Sequence, residues 1–186
     1  MYSLLIDTHL YNTMIILYKD GKKLIIEEIE STNGHSEVAI PTLENVLKKQ
    51  NIQVTDLKEI IVINGPGSFT GVRIGVTIAK TLAYTLNIPI KCLSSLLLKA
   101  ICIDGEKKVY IKDKNGYFIG EFDSKNNLIG EYEYKTSKEI NPVEFREPKS
   151  IDFDKIYEYT KSLPSQNPHS LKPTYVKKIQ VEIWLG

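Results

Sequence analysis

The stretch Ile60-Ile61-Val62-Ile63-Asn64-Gly65-Pro66-Gly67-Ser68-Phe69-Thr70-Gly71-Val72-Arg73-Ile74-Gly75-Val76-Thr77-Ile78-Ala79-Lys80 reads as strand, glycine-rich turn and helix. The unbroken aliphatic run at 60–63 suits a strand covered on both faces. Glycines let the backbone take positive φ and approach a neighbour closely, Pro66 stiffens the turn, and Thr70 is placed to cap the helix that follows. A helix amino terminus offers unpaired N–H groups and partial positive charge, so the turn suits an anion. It equally suits a tight turn that lets the helix pack closely on another surface. The pattern is not a Walker A motif, because Val72 and Arg73 follow Gly71 where Lys and Ser or Thr are required. It is not a dinucleotide fingerprint either, because glycines 65, 67 and 71 are spaced one residue too long.

Upstream, a three-stranded meander is expected over residues 3–7, 13–18 and 23–29, with Lys19-Asp20-Gly21-Lys22 as its second turn. Asn33-Gly34 breaks the chain before a helix over 36–49, whose Val38, Ile40, Leu43, Val46 and Leu47 share a face and whose Pro41 falls in the tolerant first turns. Downstream, the helix from Thr70 ends near Leu86 at Asn87-Ile88-Pro89, residues 90–93 form a short strand, and Ser94-Ser95 opens another helix through Ile101. Strands then return at 108–112, 116–122 and 128–134. This echo of the opening suggests two similar lobes, 1–103 and a reduced 104–186. Prolines 142, 148, 164 and 168 punctuate the rest, where only 152–162 resembles a helix and 175–183 a final strand.

Lys and Arg number 24 against 23 Asp and Glu in 186 residues, and the balance holds in both halves. No basic field is available to hold nucleic acid alone. Cys92 and Cys102 are spaced for neither a disulfide scaffold nor zinc and read as small buried hydrophobes. With no leader pattern and no apolar run of about 20 residues, a cytoplasmic protein without a membrane partner is expected.

Catalytic constellations are sparse. His9, His35 and His169 include no pair at helical metal spacing, so no metal site is expected from this chain. No G-x-S-x-G elbow exists, and Ser68 lacks the flanking pattern of a nucleophile. Asp7-Thr8, closing the first strand, offers oxygens for magnesium or a phosphate-bound water, although such a pair more often satisfies backbone donors. Together with Gly65, Gly67, Ser68 and Thr70 it makes the candidate phosphate or nucleotide contact. His35-Ser36-Glu37 reads as a polar cluster near the glycine loop or, more simply, a helix start capped by Ser36 or Asn33, with Glu37 favoured by the helix dipole. The helix from Thr70 carries a mixed face of Arg73, Thr77, Lys80, Thr81 and Tyr84 beside the apolar Val72, Val76, Ala79, Ala83 and Leu86. Gly75 and Ala79, four apart, allow another helix to approach.

The run Gly65 to Gly75, with Ala79-Lys80 and Ser94-Ser95-Leu96, closely resembles the TsaB family, also called YeaZ. Leu5-Ile6-Asp7-Thr8, His35-Ser36-Glu37 before a helix with Pro41, and Pro173-Thr174-Tyr175-Val176-Lys177 match more faintly; His9 stands where the family usually has Ser. The resemblance implies an actin-like, Hsp70-like (ASKHA) α/β fold of two related lobes, the second shortened. It implies a non-catalytic partner of the transferase TsaD in making N6-threonylcarbamoyladenosine at position 37 of tRNAs reading ANN codons, with a TsaE-like ATPase joining. It places ATP or ADP and a metal in TsaD and none in this chain alone, and brings tRNA through the complex. The helices near Ser36 and Thr70 would pair with TsaD or, when alone, with a second copy, through His35, Glu37, Arg73, Thr77, Lys80, Thr81 and Tyr84. The competing reading is a stand-alone nucleotide phosphohydrolase or kinase that uses the Gly65 to Gly71 loop.

Overall fold

Alternate residues along the first strands turn to opposite sides, and both sets are apolar, which makes a sheet with two covered faces. The computed structural model describes residues 1–31, 34–140 and 144–177. In it β1 (Tyr2–Asp7), β2 (Asn12–Lys19) and β3 (Lys22–Glu30) form the expected antiparallel meander. The helix α1 (His35–Lys49) carries the chain back so that β4 (Leu57–Ile63) lies parallel to β1, with Leu4 opposite Ile60 and Ile6 opposite Val62. A second crossover, α2 (Phe69–Leu86), adds β5 (Ile90–Leu93) parallel to β4. The sheet order is β3-β2-β1-β4-β5.

On one face Leu4, Ile6, Leu17, Ile60 and Val62 meet Val46 of α1 and Val72, Val76 and Ala79 of α2. On the other, Leu5, Ile16, Ile61 and Ile63 meet Leu98 and Ile101 of α3 (Ser95–Ile101) and Ile156 and Tyr157 of α4 (Phe153–Thr160). Each such buried aliphatic contributes about 1.5–3 kcal/mol of transfer free energy. Truncating Ile61, fully buried at the sheet centre, to alanine would cost about 2–5 kcal/mol.

A second antiparallel sheet, β6 (Lys107–Lys112), β7 (Gly116–Phe122) and β8 (Glu133–Thr136), has the order β6-β7-β8. Leu96 and Ala100 of α3 pack on its Val109, Ile111, Phe118 and Phe122, so α3 presents one side to each sheet.

Several local expectations change. The cap of α1 is Gly34, with no side-chain cap bond, and Ser36 is exposed; Asn33 lies outside the described residues. Ser68, not Thr70, caps α2, its Oγ accepting the Gly71 amide at 3.2 Å. The third strand of the second sheet falls at 133–136 rather than 128–134. The Asp123 carboxylate accepts the Lys125 and Asn127 amides, which bends the chain, and Leu128 reaches β7 through a single bridge to Phe122. Gly130, at φ +73°, turns the chain again before pairing resumes. Tyr175 to Lys177 are not in a strand, and 178–183 lie outside the described residues. Both cysteines are free and half-buried, and burial raises both thiol pKa values. No helix among the described residues is long and apolar enough to cross a membrane.

Candidate functional site

The parallel strands β1 and β4 end side by side, and the turns that follow them meet. In open α/β sheets such carboxyl-end crevices are where ligands and partners gather. The glycine loop between β4 and α2 is tied into this junction by its own backbone. The Ser68 amide donates to the His9 carbonyl at 2.8 Å, the Ser95 amide to Gly65 O at 2.9 Å, Ser95 Oγ to Pro66 O at 2.5 Å, and the Thr174 amide to Asn64 O at 2.7 Å. Gly65 takes φ +92°, and a Cβ on Gly67 would overlap the His9 carbonyl. Much of the loop's backbone polarity is therefore directed into the protein.

Asp7 and Thr8 serve the same junction. Asp7 Oδ1 accepts the His9 amide at 3.0 Å and meets His9 Nδ1 at 2.6 Å, while Thr8 Oγ1 donates to Gly71 O at 2.7 Å. Asp7, Thr8 and His9 are all buried, and His9 Nε2 has no partner among the described residues. The simple role for Asp7, satisfying a backbone donor at a strand end, is what the geometry displays. Thr70 is exposed in the first turn of α2. Among the described residues no group of three His, Cys, Asp or Glu side chains is arranged to hold a metal ion.

His35 is buried, with Nδ1 2.9 Å from Thr13 Oγ1 and 3.1 Å from Ser31 Oγ, and Nε2 2.8 Å from Leu10 O. Its ring would also meet a Cβ on Gly71, so it braces the start of α2 and presents no surface. Glu37 is exposed in the first turn of α1.

The mixed face of α2 divides in two. Arg73, Lys80 and Tyr84 are engaged by a strap formed by residues 166–175. Arg73 Nε donates to Tyr175 Oη at 2.8 Å with its guanidinium 3.7 Å from the Phe69 ring centre; Lys80 Nζ donates to Leu171 O at 3.0 Å; and Tyr84 meets the His169 ring edge-on at 4.8 Å. Thr77 and Thr81 stay exposed. Beside Thr77, residues Ser36, Ile40, Phe69, Thr70, Arg73, Ile74 and Ile78 line a shallow groove of about 390 Å³ between α1 and α2. Ile40 is 44% and Phe69 49% exposed. Ile40, expected on the same apolar face as Leu43, Val46 and Leu47, instead turns outward, while Phe69, Ile74 and Ile78 were missed as a surface, although Ile74 and Ile78 form a second stripe four residues apart outside the core set, which is the signal for a second contact face.

An antiparallel meander continued by two parallel strands, helices on both faces, and a second antiparallel sheet behind α3 define an actin-like α/β protein of two lobes. A family model described as TsaD, tRNA N6-adenosine threonylcarbamoyltransferase, matches residues 26–109. The tRNA threonylcarbamoyladenosine biosynthesis protein TsaB of Bacillus subtilis is 36% identical over 134 residues, which cover 71% of this chain and 55% of that protein. The uncharacterized protein MG208 of Mycoplasma genitalium is 27% identical over 191 residues, 95% of each chain. The structure of YeaZ from Pseudomonas aeruginosa shares the fold, with a TM-score of 0.74 at 18% identity over 94% of this chain and 99% of that one. The chain belongs to the TsaB (YeaZ) family. It spans about half the length of the curated TsaB relatives it matches.

Proposed function

We propose that this chain is a non-catalytic docking subunit for a TsaD-type threonylcarbamoyltransferase, acting in the formation of N6-threonylcarbamoyladenosine on tRNA. The observation that carries the reading is the groove between α1 and α2, where Ile40 and Phe69 stand exposed beside half-buried Ile74 and Ile78. Apolar residues on a rim of Thr, Ser and Arg are the anatomy of a protein interface. The equivalent two helices of the partner would lay their own apolar stripe into this groove, burying upwards of about 1,000 Å² in total if the pair is stable. When the chain is alone, a second copy would use the same face. ATP or ADP, the metal and the reacting groups belong to the partner in this reading. A TsaE-type ATPase joins the pair, and tRNA reaches this chain only through the assembly.

The names of the relatives and the TsaD description of the matched family model support the pathway, and the interface residues follow from the groove. The test is co-expression with the TsaD-type protein of the same organism, read by co-purification and by the modification state of cellular tRNA after deletion. A stable pair, with loss of the modified nucleoside on deletion, is expected. A chain that neither binds that protein nor is needed for the modification, or that alone turns over nucleotide at an enzymatic rate, overturns the reading.

A further inference from the structure

One wall of the groove between α1 and α2 carries charge of a single sign. None of the 23 Asp and Glu residues falls within 60–103 or 159–177, the two stretches that supply α2 and the strap laid along it. Arg73, Lys80 and Lys172 lie on that surface, and none of them meets a carboxylate among the described residues. Lys80 Nζ is held by the carbonyls of Leu171 and His169, at 3.0 and 3.4 Å, and Lys172 is exposed. Across the groove, α1 brings Glu37 and Glu44 but also Lys48 and Lys49, so its acids and bases cancel.

Arg73 is the groove residue best prepared to form a bond. Its guanidinium lies 3.7 Å from the ring centre of Phe69 and 5.6 Å from that of Tyr175, and its Nε donates to Tyr175 Oη at 2.8 Å. These contacts fix the plane of the group, while its two terminal nitrogens have no partner among the described residues. A guanidinium held in this way presents a fork that a carboxylate fills with two parallel hydrogen bonds. Because the side chain is already ordered, little rotamer freedom is left to lose on binding.

We infer that the partner helix laid against α2 is acidic, with one carboxylate seated on Arg73 and its apolar residues on Ile74 and Ile78. The inference rests on the docking reading and adds the chemistry of the docked surface. A second copy fits less well, because it offers α2 only the charge-balanced α1 or another α2 without carboxylates. RNA also fits less well, because three cations are few for a phosphate track and an aliphatic groove gives a phosphate backbone nothing to bond. The positive field over α2 and the strap steers an acidic partner into place, and salt screens that steering.

The test follows binding of the full chain to the TsaD-type protein of the same organism, from about 50 mM to about 500 mM sodium chloride. The dissociation constant should rise about tenfold across the range, mainly through slower association. Lys172→Glu, outside the groove, should slow association several-fold at low salt and leave the dissociation rate unchanged. Arg73→Lys keeps the charge but loses the fork, and should speed dissociation about tenfold. Binding that responds neither to salt nor to Lys172→Glu overturns the inference and leaves the docking reading standing. Absence of binding at every salt concentration removes both. The same salt and variant effects on self-association, or on binding of tRNA by the chain alone, but not on binding to the TsaD-type protein, would assign the face to that other occupant and overturn the inference.

Discussion

The Thr8 hydroxyl, at the end of β1, donates to the Gly71 carbonyl 2.7 Å away and so fixes the strand end to the first turn of α2. The same hydroxyl sits where a Cβ on Gly75 would go, one turn further along. Replacing a helix-interior glycine by alanine ordinarily stabilises by about 1 kcal/mol. Here the sign should reverse, because the buried Thr8 must move; Gly75→Ala is expected to destabilise by about 1–3 kcal/mol. Thr8→Ala alone should cost about 1 kcal/mol for the lost bond. The double variant should be more stable than the sum of the two, since removing Oγ1 relieves the overlap. Urea unfolding of the four chains measures the coupling, and simple additivity would contradict this packing.

Gly67 sits against His9 in a similar way, although its own φ is unexceptional. The His9 carbonyl accepts the Ser68 amide at 2.8 Å, so backbone approaches backbone and nothing flexible can yield. Gly67→Val should therefore cost about 4 kcal/mol or more, in the range reserved for severe core lesions. Thermal unfolding of the purified variant checks it. A melting temperature near that of the parent would show that the loop can rearrange.

The docking face and the strap can be separated by mutation. Ile40→Asp and Thr77→Arg alter groove residues that are exposed, so stability should stay within about 0.5 kcal/mol while partner capture is lost. Arg73→Glu differs because Arg73 also holds Phe69 and Tyr175. It should lose partner capture and in addition about 1 kcal/mol of stability from the cation–π contact and its hydrogen bond. Sizing chromatography with the partner, alongside denaturant unfolding, distinguishes the two. Retained association by both Ile40→Asp and Thr77→Arg would remove the groove from the interface.

The first sheet was legible because its signals are local: aliphatic runs at 60–63, the turn at Asp20-Gly21, and glycines and Pro89 closing elements. The strap was not. Residues 166–175 carry no periodicity, and their course is set by bonds to distant carbonyls, the Gln166 amide to Ile90 O and the Thr174 amide to Asn64 O, both at 2.7 Å. Arg73, Lys80 and Tyr84 therefore looked free on a helical projection while half of that face was already engaged. His35 misleads for the opposite reason, since a histidine at a helix start reads as surface until Thr13, Ser31 and Leu10 are brought around it by the meander. The third strand of the second sheet was displaced because the side-chain bonds of Asp123 outweigh the apolar run from Leu128.

Alkaline pH should weaken the fold, and the sign follows from buried acids. Burial first, then the charges of Asp154, Tyr157 and Asp152, push the Tyr18 hydroxyl well above its ordinary 10.0; its proton is donated to Phe153 O at 3.0 Å. Burial likewise raises Cys92 above 9.0. Once pH passes those ordinary values the unfolded chain ionises these groups and the folded chain does not. The folded state then binds more protons, so stability, complete below about pH 9, falls as pH rises, by up to about 1.4 kcal/mol per unit for each group. Lys107 acts in the other direction: burial lowers its pKa from 10.5, so stability rises between its folded value and 10.5, offsetting one proton. The net trend remains downward because Cys102, Tyr132 and Tyr159, whose pKa values burial also raises, add to Tyr18 and Cys92 against the single lysine. Urea unfolding at about pH 7 and about pH 10.5 should show the loss. Tyr18→Phe should be less stable at the lower pH, for want of the bond to Phe153, yet flatter across the interval; a slope equal to that of the parent would mean that Tyr18 ionises in the folded chain.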